Sequence, residues 1–245
     1  MEKWNGFDSE KIIFEGHEAI IVYPEEGKSN SRLAVKTEYW GAFPGAIEIP
    51  LLECGFHLCY IKNDNRFGMN YDLDRKARFI RYVSEKCGLN ARCVPIGMSC
   101  GGLIAIKLAA RYPELIECLY VDAPVLNYMS WPCGFGIGKT HPTDHTEVLS
   151  SLGLDSLSEL LSYREMPLDM LPRLIEAKIP VIMATGDSDT VVPYCENGIF
   201  LERAYKNAGL EIEVYVKPGG DHHPHGLPSH EPILDFILRH CFKEN

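Results

Sequence analysis

Short runs of consecutive apolar residues alternate along this chain with longer segments in which apolar residues return every three or four positions. KIIFEG and EAIIVYPE, flanking Gly16 and His17, are runs of the first kind, as are RLAVKTEY, FHLCYIKN, ARCVPI, ECLYVDAP, IPVIMATG and EIEVYVKP. AIEIPLLEC, DLDRKARFIRYVSEKCG, LIAIKLAARYP, LERAYKNAG and PILDFILRHCF show the longer period. Unbroken apolar strands separated by amphipathic helices predict an α/β fold with a mostly parallel sheet covered on both faces. Asp72 before the second helical segment and Gly88 after it read as its caps. Pro95 removes a ladder donor from a strand that should be central, which predicts a local bulge.

One stretch breaks the rhythm. Residues 125–172 are too long for an ordinary connection and predict a cap or lid at the carboxyl end of the sheet. No internal repeat or low-complexity linker divides the chain, and 245 residues suit one domain over 1–245.

The strand ends carry the candidate chemistry, because open α/β sheets bind ligands outside the carboxyl ends of their strands. After ARCVPI comes GMSCGG, residues 97–102, with Ser99 between glycines and a helical run directly behind it. A G-x-S-x-G turn between strand and helix lifts the serine hydroxyl clear of the sheet, and leaves the Cys100 N–H at a helix N-terminus as an oxyanion donor. After IPVIMAT comes GDSDTVVPY, which offers Asp187 and Asp189 as acids to orient a histidine. After EIEVYV comes KPGGDHHPHGL, with His222, His223 and His225. No cysteine or carboxylate stands at a recognised zinc spacing from them, so the expectation is one general base, with no metal and no cofactor. Serine, acid and histidine arrive in that order on successive strands.

These motifs resemble the α/β-hydrolase superfamily over nearly the whole chain, and imply its fold with a short cap insertion. The resemblance implies a serine hydrolase. In GDSDTVVP it selects Asp189 as the acid, and in GGDHHPHGL, aligned on Pro224, it selects His222 as the base, with Asp221 where the family usually has glycine. Aligning GAFPG, residues 41–45, with the family's oxyanion loop places the second oxyanion donor within residues 40–43, at Phe43. The prolyl oligopeptidase family shares the G-x-S-x-G-G pattern and a similar acid loop. The expected activity is hydrolysis of a carboxylic ester of small or medium acyl group, carbohydrate-linked esters included. A peptidase of the prolyl oligopeptidase type and a silent ligand-binding protein are the alternatives. Trp40 and Trp131, with Tyr39 and Tyr128, are candidates to line the substrate pocket.

Composition narrows the setting. Hydrophobic residues are 46% and charged residues 24% of the chain, within the ordinary globular range. Twenty-four basic against thirty-four acidic side chains give a formal charge of -10, which disfavours nucleic acid and anionic membrane as partners and leaves a small-molecule ester as the expected one. The N-terminus lacks a basic start followed by an apolar core, and nine cysteines without a CxxC pair read as free thiols, so the expected location is the cytoplasm.

Overall fold

The computed structural model describes residues 2–141 and 143–242. Among them run nine strands: β1 (Glu2–Trp4), β2 (Phe7–Phe14), β3 (His17–Val22), β4 (Leu33–Lys36), β5 (His57–Ile61), β6 (Cys93–Met98), β7 (Leu119–Asp122), β8 (Val181–Gly186) and β9 (Ile212–Lys217). They form one sheet in the order β1-β2-β3-β5-β4-β6-β7-β8-β9. The three N-terminal strands pair antiparallel, and from β5 onward every pairing is parallel. The strands β4, β6, β7 and β8 are buried along their full length, as their unbroken apolar runs predict.

Eight α-helices accompany the strands: α1 (Glu48–Glu53), α2 (Asn70–Cys87), α3 (Cys100–Arg111), α4 (Asp144–Leu152), α5 (Leu157–Ser162), α6 (Pro167–Ala177), α7 (Gly198–Asn207) and α8 (Glu231–Cys241). They divide between the two faces. Leu51 of α1 and Phe236 of α8 share a core with Ile96 and Tyr120. Leu73 of α2, Leu103 of α3, Leu174 of α6 and Leu201 of α7 share the opposite core with Val35 and Val121. Within 125–172 lie α4, α5 and the start of α6, and α6 continues past Pro172 to pack on α3. No described helix is long and apolar enough to cross a membrane.

Two local expectations change. Helix α2 begins at Asn70, so Asp72 sits in its first turn instead of capping it. Its buried carboxylate turns inward, accepts the Asp64 N–H at 3.0 Å and pairs with Arg75 at 3.1 Å. At Pro95 the distortion falls on the segment leading into β7: Cys93 bridges Ile116, whereas Ile96 pairs with Tyr120, so one extra residue is absorbed beside β6 where proline has no donor to offer.

A buried ion pair fixes the loop that follows β4. Lys36, 1% exposed, pairs with Glu48 of α1, 2% exposed, and donates to the Ala42 carbonyl at 3.2 Å. Removing one member leaves a desolvated charge, which costs about 3–5 kcal/mol. Lys36→Ala should therefore lower the unfolding free energy in urea by about that amount, and the double variant Lys36→Met, Glu48→Leu should recover most of it. Equal loss in both variants would show that the pair's charges are irrelevant.

Candidate active site

The turn between β6 and α3 presents Ser99 with φ 53 and ψ -119, a conformation seldom adopted by residues with a side chain. Glycines make the turn sterically feasible. A Cβ on Gly97 would lie 2.3 Å from the Gly101 carbonyl oxygen, and one on Gly102 would lie 2.6 Å from the Pro124 Cβ. The Ser99 N–H donates to the Asp122 carbonyl at 2.9 Å, and the Ser99 carbonyl accepts from Gly102 and Val125. Cys100 opens α3, so its N–H has no carbonyl four residues back within the helix. Its thiol is fully buried, and burial pushes its pKa up to about 12.

The acid and histidine loops converge on this turn. His222 Nδ1 lies 2.8 Å from Asp189 Oδ2, and His222 Nε2 lies 3.1 Å from Ser99 Oγ. Asp189 Oδ1 also accepts the N–H groups of Val191 and Val192, each at 2.8 Å. Burial raises the Asp189 carboxyl, but the His222 contact and these two N–H groups outweigh it and hold the pKa below the usual carboxylate range. The other aspartate of the loop, Asp187, accepts the Gly219 N–H at 2.7 Å and shapes the turn. Asp221 ties the loops together, its Oδ1 accepting from the backbone of Thr190 at 2.9 Å and of His222 at 2.8 Å.

A cleft of about 380 Å³ opens beside Ser99 and His222, walled by Tyr39, Phe43, Arg66, Trp131, Val191 and His223 among others. Trp40 is not among its walls. Tyr39, with φ 57, turns the chain so that its own ring faces the cleft, while Trp40 stacks on Tyr60 at 5.5 Å and lies 4.9 Å from Trp4. Tyr128 is buried behind the cleft, its hydroxyl donating to the Phe67 carbonyl at 3.1 Å. Phe43, with φ 52, stacks its ring on His223.

The sequence did not single out Arg66 as a wall residue or Asp122 as the partner of His225. Arg66 follows β5 and reaches under the cap: its Nε donates to Glu147 Oε1 of α4 at 2.9 Å, and its guanidinium lies 5.0 Å from the centre of the Trp131 ring. His225 pairs through Nδ1 with buried Asp122 at 2.8 Å. The available signals were an arginine in the loop after a strand, in NDNRFG, and a carboxylate closing an apolar strand, in LYVD. His222, His223 and His225 form the one group of three potential ligating side chains drawn together among the described residues.

Residues 77–243 match the prolyl oligopeptidase family, a span that holds Ser99, Asp189 and His222 and well over half of the chain. The chain belongs to the prolyl oligopeptidase family. The fold agrees. The Pyrococcus horikoshii acylaminoacyl peptidase superposes with a TM-score of 0.75 at 16% identity, over 100% of this chain and 45% of that one. An acylaminoacyl peptidase in complex with Z-Gly-Gly-Phe-chloromethyl ketone gives 0.72 at 16% identity, over 98% and 43%. This chain thus spans less than half the length of these structural relatives. No curated protein matches it by sequence. The family's catalytic-domain architecture is the α/β-hydrolase fold seen here.

The depressed Asp189 carboxyl has a consequence for stability. In the unfolded chain it titrates near 3.9, above its folded value, so its contribution is complete above about pH 5 and lost as pH falls through the folded value. Asp189→Asn should be less stable than wild type at pH 6 in urea, with the gap narrowing toward pH 3. A gap that is constant with pH would refute this assignment.

Proposed function

We propose that this chain is a serine hydrolase in which Ser99 is the nucleophile, His222 the general base and Asp189 its orienting acid, and that its substrates are short peptides. The observation that carries the reading is the continuous chain Asp189 Oδ2, His222, Ser99 Oγ, with contacts of 2.8 and 3.1 Å, within a member of the prolyl oligopeptidase family. An ionised carboxylate only accepts hydrogen bonds, so His222 carries its proton on Nδ1 and turns the bare Nε2 toward the serine hydroxyl.

His222 takes the Ser99 proton as Oγ attacks the carbonyl carbon. The negative charge that develops on the carbonyl oxygen is met by the Cys100 N–H and by a backbone N–H of the 40–43 loop, with Phe43 the aligned position. His222 then gives the proton to the leaving amine, and water attacks the acyl-enzyme by the same route in reverse. Trp131, Phe43 and Val191 offer an apolar wall to the side chain nearest the scissile bond. Lysine and arginine are outnumbered on the surface as a whole, which supports a small substrate over nucleic acid or anionic membrane. Nine free thiols support a reducing compartment, the cytoplasm in the simplest case.

Ester hydrolysis is the second reading. The same relay serves it, and the apolar wall suits an acyl chain as well as a peptide side chain. Cys100 is excluded as nucleophile by its buried, protonated thiol.

A fluorophosphonate probe should label the wild type and leave Ser99→Ala unlabelled, and Ser99→Ala and His222→Ala should each lower kcat by about 10,000-fold or more. Iodoacetamide at pH 7 should leave activity intact. Cleavage of an acylated di- or tripeptide is the expected activity. Turnover of the corresponding methyl ester alone would move the assignment to the ester reading, and folded wild type that takes no label would sink the hydrolase reading.

A further inference from the structure

The proposed mechanism employs one of the three histidines at the cleft, yet the other two are built into the same ring of side chains. The ring centres of His222, His223 and His225 lie 4.8, 5.0 and 4.8 Å apart, a nearly equilateral triangle. One nitrogen of each falls within 4.8 Å of the other two. The second histidine is held like the first: His225 Nδ1 meets Asp122 Oδ1 at 2.8 Å, just as His222 Nδ1 meets Asp189 at 2.8 Å. Asp122 also accepts the Gly226 N–H at 2.7 Å and the Tyr120 hydroxyl at 3.1 Å, which fixes its orientation.

A carboxylate behind Nδ1 fixes the proton there and leaves Nε2 a bare lone pair. Histidine ligands of zinc commonly have this arrangement, with the carboxylate orienting the ring and raising its basicity. Among the described residues, His225 Nε2 has no hydrogen-bond partner, and neither has the exposed ring of His223. We propose that His222, His223 and His225 form a binding site for a divalent zinc-class ion, and that its occupation switches the enzyme off. The ion bonds to the His222 Nε2 lone pair, which the Ser99 hydroxyl then cannot use, so no proton can leave the serine.

Zinc–nitrogen bonds of about 2.1 Å place tetrahedral ligands roughly 3.4 Å apart, so the widest pair must close by about 1.4 Å. The exposed His223 ring closes on the other two by turning about its side-chain torsions, and the His222–His225 pair, whose ring centres are farthest apart at 5.0 Å, closes by tilting of the two carboxylate-held rings. Three imidazoles and no carboxylate in direct reach select zinc or copper over magnesium and calcium, which require oxygen donors. The two buried carboxylates behind the rings offset the ion's charge. The inhibitory half of this inference rests on His222 being the base, whereas the binding half does not.

The test uses the full chain with exposed Cys54 and Cys195 replaced by serine, freed of metal, and titrated with zinc chloride in a calorimeter and with cobalt(II) in a spectrophotometer. One zinc per chain with a micromolar dissociation constant and a tetrahedral cobalt spectrum are expected. His223→Gln and His225→Gln should each weaken binding at least about tenfold, and Asp122→Asn, which loosens the carboxylate behind His225, by about 10- to 100-fold. Ser99→Ala should bind zinc as the parent does. Zinc should block fluorophosphonate labelling of the parent reversibly, with EDTA restoring it and magnesium having no effect. No zinc binding, or binding indifferent to His223→Gln and His225→Gln, overturns the site. Binding that leaves labelling unchanged overturns the switch. A chain that never labels but binds zinc as described removes the hydrolase reading while the site stands.

Discussion

Asp122 is the residue through which the parts of the site are held to one another. It ends β7, is fully buried, and faces two ways. Its backbone carbonyl receives the Ser99 N–H at 2.9 Å, while its carboxylate receives Gly226 N–H at 2.7 Å and His225 at 2.8 Å. The serine turn and the histidine loop, more than a hundred residues apart in sequence, are thus referred to one point on the sheet. A buried carboxylate with these partners resists displacement of the histidine loop, because moving it would strip the carboxylate of the His225 and Gly226 hydrogen bonds, while the serine turn is held to the same residue through its backbone carbonyl. Distances near 3 Å between Ser99 and His222 need such a common reference, since loops on their own do not hold side chains to fractions of an ångström.

The same logic operates on the acid side. Asp221 stands where the superfamily usually has glycine, and that departure is explained by its contacts. Its carboxylate clasps the backbone of Thr190 and of His222, so the loop that carries Asp189 and the loop that carries His222 move as one. Two aspartates, Asp122 buried at the end of β7 and Asp221 on the surface between the loops, thereby hold the loop that carries His222. Gly97 and Gly102 complete the frame by letting β6, α3 and Pro124 approach to distances that any Cβ would forbid.

Much of this was legible in the sequence because it follows from local pattern. Fully buried strands leave unbroken apolar runs, and the turn at Ser99 needs glycines at fixed offsets, so β6, β8 and the serine turn could be read directly. The β1 strand, Glu2–Trp4, was not: two exposed residues and one half-buried residue leave no periodicity. Asp72 was misread as a cap because local propensity cannot reveal that Arg75 and the Asp64 N–H would draw it inward. The cleft walls were the hardest to read. Whether Tyr39 or Trp40 faces the cleft depends on the left-handed backbone at Tyr39, Gly41 and Phe43, and Arg66 is aimed by Glu147, eighty-one residues away.

That dependence on distant partners bears on the peptide and ester readings. The relay of Ser99, His222 and Asp189 is indifferent to the leaving group, so selectivity must come from the walls, and these are contributed by segments with different anchors. Phe43 belongs to the loop that the buried Lys36–Glu48 pair supports from below. Arg66 is bound to α4, within the insertion, and lies over Trp131, which the insertion also supplies. A shift of α4 would carry Glu147 with it and move Arg66 and Trp131 together, changing one side of the cleft while leaving Ser99 and His222 on the sheet undisturbed. In the proposed reading the relay is anchored to the β-sheet, whereas the cleft walls hang on the Lys36–Glu48 loop and on the insertion, so the walls can change without moving the relay.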